Sequence, residues 1–193
     1  MLAMIPWLAL AVGPLADIGP APEVDLIDAA GRPFRLSGLR GRAVLVSFIY
    51  TTCNGTCPLT TAGLDRVRRT LRDRGLWGDR VAFVSISLDP SRDTPEVLRR
   101  YAATYRADPG RWHFLTGPAD RVEGVLRRWD MWARAGPSGA IDHPSRIFLI
   151  DPDGHRREIY SLETLDPASV ADDVASLLAE GGRRGPGAGG SRP

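Results

Sequence analysis

The chain has 193 residues, which suits one domain with flanking ends and allows a hydrophobic core that needs no disulfide scaffold. Its formal net charge is only +2. Its 25 basic residues, all arginines, are dispersed among 23 acidic ones, which excludes a basic stripe of the kind that binds nucleic acid. Two cysteines are too few for a disulfide-rich fold, so any role they have is local.

The N-terminal segment is apolar, because residues 1–16 contain no charged side chain. Such a run is typical of the apolar core of a signal peptide, and small residues offer cleavage positions after Ala11 or Ala16. The usual positively charged start is missing, since the first arginine is Arg32. We predict that residues 1–19 form a signal peptide or N-terminal anchor and that the protein is extracytoplasmic (periplasmic). An apolar N-terminus of a cytosolic protein is the alternative.

Residues 20–180 form the predicted globular domain, in which apolar runs alternate with segments of helical periodicity. A linker at 20–22 leads into an N-terminal hairpin made by residues 23–28 and 33–36. The strands predicted after it are Val44–Ile49, Val81–Leu88, Trp112–Leu115, Arg146–Ile150 and Arg156–Tyr160. The predicted helices are Leu59–Leu71, Pro95–Tyr105, Ala119–Trp132 and Pro167–Leu178, and the glycine-rich tail 181–193 is predicted to be disordered.

The alternation of strands and helices predicts an α/β fold with a mixed, largely parallel sheet flanked by helices, preceded by the N-terminal hairpin. A cysteine pair at a strand-to-helix junction of such a sheet is typical of the thioredoxin-like fold. Ligand sites of open α/β sheets lie at the carboxyl ends of the strands, and both cysteines fall there.

Cys53 and Cys57 are four residues apart where the first buried strand gives way to a helix. In a first helical turn this spacing places them on one face, with Cα atoms roughly 6 Å apart, within the range that a disulfide can close. The pair can therefore be a dithiol, a disulfide or two soft metal ligands. The helix N-terminus favours thiolate over thiol, so we expect thiolates to be available at neutral pH.

Two other polar sites follow or precede buried strands at the same predicted edge: Asp89, and the sequence Asp142-His143-Pro144. Thiolates favour Cu(I), imidazole also accepts Cu(II), and a structural zinc site would need a fourth ligand. The remaining histidines, in a strand and in a hairpin, are poor candidates. Each residue also has a plain interpretation: a structural disulfide, a surface histidine and a turn-forming aspartate. The isomer of the His143–Pro144 bond is open at this point.

Three ordered motifs carry a resemblance to a known family: Cys53-x3-Cys57-Pro58 after an apolar strand, the sequence Ser87–Glu96, and Asp142-His143 ahead of Ile147–Asp151. Over roughly residues 22–178 the chain resembles the Sco (SenC) family of copper chaperones, which is similar to thioredoxin in fold. The sequence departs from many relatives at Pro144.

The resemblance implies one copper ion per chain, Cu(I) or Cu(II), bound by Cys53, Cys57 and His143, with Asp89 near the metal in a second shell. It also implies a role in assembling the CuA centre of cytochrome c oxidase, by copper delivery, by reduction of the acceptor cysteines, or by both. The implied partner is subunit II of the oxidase or another copper-handling protein, and a membrane tether is expected at the N-terminus.

A metal-independent thiol–disulfide oxidoreductase is the main alternative, with Cys53 as the attacking thiol and Cys57 as its partner. Both roles can coexist, because each uses the reduced pair, and whether the protein is an enzyme is left open. A peroxiredoxin-like peroxidase is disfavoured, because the threonine that it needs three residues before its cysteine is replaced by Tyr50 or Asn54. A disulfide-stabilised binding module is the fourth interpretation.

Overall fold

The computed structural model describes residues 14–53, 56–136 and 140–183, within which ten strands and four α-helices follow one another. The strands are β1 (Gly19–Pro20), β2 (Asp25–Asp28), β3 (Pro33–Arg35), β4 (Ala43–Ile49), β5 (Val81–Ser87), β6 (Trp112–Thr116), β7 (Arg134–Ala135), β8 (Ile141–Asp142), β9 (Ile147–Ile150) and β10 (His155–Tyr160). The helices are α1 (Thr56–Asp73), α2 (Pro95–Thr104), α3 (Ala119–Arg128) and α4 (Pro167–Arg183), and one 3-10 turn spans Leu36–Leu39.

Eight strands form one sheet in the order β1-β10-β9-β4-β5-β6-β2-β3, and β7 pairs with β8 in a separate two-stranded sheet. The predicted mixed α/β fold with an N-terminal hairpin, β2–β3, is confirmed. The expectation of a largely parallel sheet is corrected: of the seven pairings in the main sheet only β4–β5 and β5–β6 are parallel. The hairpins add antiparallel strands on both sides of this parallel centre, because short connections can join only antiparallel neighbours.

The two central strands carry the core. All seven residues of β4 and all seven of β5 are buried, which agrees with their near-continuous apolar sequence. Helices α1 and α4 pack against each other and contact β4, while α2 packs against β6 and α3 against β2. The carboxyl ends of the parallel strands β4 and β5 therefore meet at one edge of a rigid layer.

The helix ends follow local backbone chemistry. Thr94 caps α2 as predicted, because its side chain accepts a hydrogen bond from the Val97 N–H and a proline follows it. Helix α3 ends at Arg128, four residues before the predicted end, because Asp130 has the left-handed φ of 52° that terminates helices. Helix α4 continues to Arg183, into the segment predicted to be disordered, and residues 184–193 lie outside the described part of the chain.

The end of the predicted leader packs on the domain. Strand β1, at the predicted junction of leader and linker, pairs with β10 at the sheet edge. Just before it, the carbonyls of Leu15 and Ala16 accept hydrogen bonds from the buried guanidinium of Arg157. Residues 1–13, which hold most of the predicted leader, lie outside the described residues. No helix in the described ranges combines the length and apolarity needed to cross a bilayer.

Candidate metal centre

The cysteine pair lies where β4 ends and α1 begins, as predicted. Cys57 is the second residue of α1 and is 1% exposed, and Cys53 precedes the helix and is 8% exposed. Both are present as thiols, with no disulfide between them. The two side chains are near enough for the Cys53 side chain to raise the pKa of the Cys57 thiol.

His143 approaches this pair from far along the chain. It follows β8, and its Nε2 atom lies 3.7 Å from the Cys57 Sγ atom. Its Nδ1 atom lies 2.9 Å from the Pro144 carbonyl oxygen, which can only accept, so Nδ1 donates this hydrogen bond and Nε2 is the ring nitrogen that faces the sulfur. The described chain has no cis peptide bond, so the His143–Pro144 bond is trans.

The distance between the sulfur and the imidazole nitrogen suits a shared metal ion. With metal–sulfur and metal–nitrogen bonds of about 2.3 and 2.0 Å, as on zinc, and an angle of about 110–120°, the two ligand atoms lie about 3.5–3.7 Å apart. The observed 3.7 Å falls at the upper end of that range. The hydrogen bond from Nδ1 to a carbonyl is also the usual support for a metal-binding imidazole.

The third ligand is not yet in place. Within the described residues no three histidine, cysteine, aspartate or glutamate side chains stand together at metal-binding distances. Cys57 and His143 are the proposed ligands whose donor atoms the structure brings to 3.7 Å from each other. Residues 54 and 55, between the two cysteines, lie outside the described chain.

The expectation that the thiols are acidic is wrong for Cys57. Burial raises the pKa of the Cys57 thiol to about 12, although a backbone hydrogen bond from Tyr50 opposes the shift. The Cys53 side chain and the negative charge of Asp93 raise it further. With its pKa raised in this way, Cys57 keeps its proton at neutral pH until a metal displaces it.

Asp89 lies just beyond β5 and is 6% exposed, but its contacts are local. Its carboxylate accepts a hydrogen bond of 2.6 Å from the Ser91 hydroxyl, and the Arg92 Nε atom lies 3.2 Å from its Oδ2 atom as an ion pair. The acid that acts on the Cys57 thiol is Asp93. A second-shell role for Asp89 remains a prediction.

Asp93, which lies within the motif Ser87–Glu96, is fully buried beneath the cysteine loop. Its carboxylate accepts hydrogen bonds from the backbone N–H and the hydroxyl of Thr51, and one of 2.6 Å from the hydroxyl of Ser87. It therefore ties the end of β5 to the turn that leads to Cys53. Burial raises the pKa of this carboxyl above its usual range. The sequence offered one sign of this role: Asp93 is a second acid four residues after Asp89, and the turn at Asp89-Pro90 does not need a second acid.

The other two histidines have their contacts elsewhere, in line with the prediction. The His113 ring packs on Phe34 with centroids 5.0 Å apart, and burial lowers its pKa. The His155 Nδ1 atom lies 2.8 Å from a carboxylate oxygen of Asp17, near the N-terminal segment.

Comparison with known proteins shows the family to which the chain is similar. The family model described as SCO1/SenC matches residues 20–179. An SCO1 protein homolog from Bacillus subtilis is 30% identical over 151 residues, which is 76% of each chain. Some curated relatives are much longer, so that the match covers as little as 47% of their length.

Two solved structures share the fold over most of the chain. Bradyrhizobium japonicum ScoI with copper bound superposes with a TM-score of 0.70 at 26% identity, covering 82% of this chain and 99% of that one. BsSco, a member of the Sco family of cytochrome c oxidase assembly proteins in which a disulfide switch was identified, gives a TM-score of 0.73 at 25% identity, covering 86% and 98%. The likeness confirms the predicted thioredoxin-like class of fold.

Proposed function

We propose that this chain, which belongs to the SCO1/SenC family, is an extracytoplasmic copper-binding protein that helps to assemble the CuA centre of cytochrome c oxidase. The observation that carries the proposal is the 3.7 Å separation between the Cys57 sulfur and the His143 Nε2 atom. His143 precedes a trans proline, and Cys57 has a second thiol, Cys53, four residues before it. Copper is the cargo in this reaction and leaves with the acceptor.

The proposed ligands have distinct roles. Cys57 and His143 already lie at a distance that one ion can bridge, and Cys53 supplies the third ligand. Two thiolates favour Cu(I), and the added imidazole makes Cu(II) acceptable as well, so the same three residues can serve both oxidation states. Each thiol must lose its proton to bind, so copper loading releases protons.

The neighbouring sulfurs also support a reducing role toward the acceptor. In that step the two thiols form a disulfide, and their two electrons and two protons pass to a disulfide of the acceptor, which becomes a dithiol. Cys53, the more exposed of the two sulfurs, would attack, and Cys57 would resolve the mixed disulfide. A metal-independent thiol–disulfide oxidoreductase is therefore the second candidate, favoured by the adjacent thiols and by the disulfide switch of BsSco.

Copper titration of the reduced protein tests the proposal. We expect one ion per chain, and we expect Cys53→Ser and Cys57→Ser to lose Cu(II)–thiolate absorbance. A loaded protein should then transfer copper to the soluble domain of oxidase subunit II. Turnover of a disulfide substrate in metal-free buffer, combined with no copper binding by the wild type, would leave only the oxidoreductase.

The proposed location rests on the apolar run within residues 1–19, as a signal peptide or membrane tether. Fusion of the full chain to a reporter enzyme that is active only outside the cytoplasm tests it. Activity of the fusion is the expected result, and an inactive but intact fusion would place the protein in the cytoplasm.

A further inference from the structure

Tyr50 lies between the two ligand-bearing loops. It directly follows β4, three residues before Cys53, and is 5% exposed. Its ring meets the His143 imidazole edge-on, with centroids 5.9 Å apart and planes at 85°. Its hydroxyl accepts a hydrogen bond of 3.1 Å from the backbone N–H of Ile141, and its backbone carbonyl accepts one of 3.3 Å from the Cys53 N–H.

The short strand β8, which His143 directly follows, needs external support. Strands β7 and β8 have two residues each and form a separate sheet, and an isolated two-stranded hairpin is marginally stable at best. Ile141 is in β8, two residues before His143. The hydrogen bond from its N–H to the Tyr50 hydroxyl joins this small hairpin directly to the end of the central strand β4.

We propose that Tyr50 is a positioning residue of the copper site, whose hydroxyl accepts the Ile141 N–H and donates to the Cys53 sulfur, so that the imidazole and the first cysteine are held in register. The inference rests on the proposed function, since the register matters only if Cys53 and His143 share an ion. A phenol has one proton to donate and lone pairs to accept with, so both bonds can form at once.

The bridge responds to the state of the sulfur. When Cys53 binds metal as a thiolate, the O–H···S bond becomes charge-assisted and stronger, as expected for a group that orients a metal ligand. In a disulfide the Cys53 sulfur carries no charge, and the bridge to the histidine-bearing hairpin weakens.

Tyr50→Phe tests this role, because it removes the hydroxyl and keeps the ring. The matched control is Tyr160→Phe, which removes another buried hydroxyl, one that donates to Asp173 at 2.6 Å. In the metal-free full chain we expect the Ile141 amide to exchange its hydrogen about tenfold faster or more in Tyr50→Phe. Tyr160→Phe should leave that rate unchanged.

Copper binding supplies the second measurement. We expect Tyr50→Phe to bind one ion with about tenfold lower Cu(II) affinity, at the lower end of the effect of outer-shell partners. Its paramagnetic resonance spectrum should show weakened or heterogeneous nitrogen coupling, and Tyr160→Phe should match the wild type. Wild-type affinity, spectrum and Ile141 exchange in Tyr50→Phe would overturn the inference while the proposed function stands. If the wild type binds no copper, the proposed function fails. The Ile141 exchange rate of Tyr50→Phe then still decides the role of Tyr50: faster exchange shows that Tyr50 positions the hairpin, and an unchanged rate shows that it does not.

Discussion

Replacement of Asp93 by alanine should destabilise the fold at the cysteine loop. The change leaves three donors without their acceptor: the part-buried N–H and hydroxyl of Thr51 and the buried hydroxyl of Ser87. Three hydrogen bonds to an ionised acceptor at about 1.5 kcal/mol each amount to about 4–5 kcal/mol. The desolvation that raises the pKa of Asp93 offsets part of this, so we expect the free energy of unfolding to fall by about 2–3 kcal/mol.

Urea unfolding at neutral pH measures the loss. For a chain of this size the dependence on urea is about 2 kcal/mol per molar, so the midpoint of Asp93→Ala should fall by about 1–1.5 M. Asp120→Ala, which removes an exposed acid in the first turn of α3, is the control and should shift the midpoint by less than about 0.3 M. A shift of that small size for Asp93→Ala would refute the role of Asp93 as the hub of the loop.

The pH dependence gives an independent check with a definite sign. The pKa of Asp93 is raised in the folded state, so the folded chain binds this proton more readily than the unfolded chain does. The stabilisation by Asp93 is therefore full below the unfolded pKa and declines as pH rises through the folded one. The loss in free energy of unfolding caused by Asp93→Ala should therefore be as large near pH 4 as near pH 7, or larger.

Asp28 is the control for this pH dependence, because its pKa is lowered in the folded state, whereas that of Asp93 is raised. Burial alone would raise its pKa, but hydrogen bonds from Arg32 and Ala30 lower it overall. Its stabilisation is present above the unfolded pKa and is lost as pH falls, so the deficit of Asp28→Ala should shrink on acidification. If the Asp93→Ala deficit shrank in the same way, the assignment of Asp93 as a buried, desolvated carboxyl would be refuted.

Two further predictions concern protons at the metal site and the buried arginine. Because the pKa of Cys57 is raised to about 12, Cu(I) must displace a proton to bind, and Cu(I) affinity should rise with pH. The rise should be up to about tenfold per pH unit for each proton released. Competition titrations that give the same Cu(I) affinity at every pH would contradict this. Arg157→Ala leaves the buried Asp151 carboxylate without the guanidinium that lies 3.0 Å away. It should lower the free energy of unfolding by about 3–5 kcal/mol, against less than about 0.5 kcal/mol for the exposed Arg127→Ala. Equal losses in the two denaturation curves would show that Arg157 is not a structural hub.

The parts of the fold that the sequence predicted are those in which local chemistry has one outcome. The continuous apolar runs of β4 and β5 predicted strands buried on both faces, and Thr94 followed by a proline predicted a helix start; the structure has both. The pairing of β1 with β10 was missed, because an edge strand of two residues has no periodicity to detect. The early end of α3 depends on one left-handed backbone angle at Asp130, which its sequence tolerates but does not require.

At the site, residue types were predictable and their electrostatics were not. The strand-to-helix junction placed both cysteines correctly, and the meeting of His143 with Cys57 followed the predicted convergence. The direction of the Cys57 pKa shift could not be predicted, because it depends on how deeply the first turn of α1 is buried and on which acid faces it. The hydrogen bond from Ile141 to Tyr50 joins positions 91 residues apart. Local sequence patterns do not predict contacts between residues at such a separation.

The claim that one copper ion is shared by two sulfurs and a distant imidazole is tested most directly by the Cu(II) spectra of two histidine variants. His143→Ala removes the proposed ligand, and His155→Ala removes an imidazole that pairs with Asp17 instead. We expect the wild type and His155→Ala to share one absorption and paramagnetic resonance spectrum with nitrogen coupling, and His143→Ala to lose that coupling together with most of the absorbance. An unchanged spectrum in His143→Ala would contradict the account.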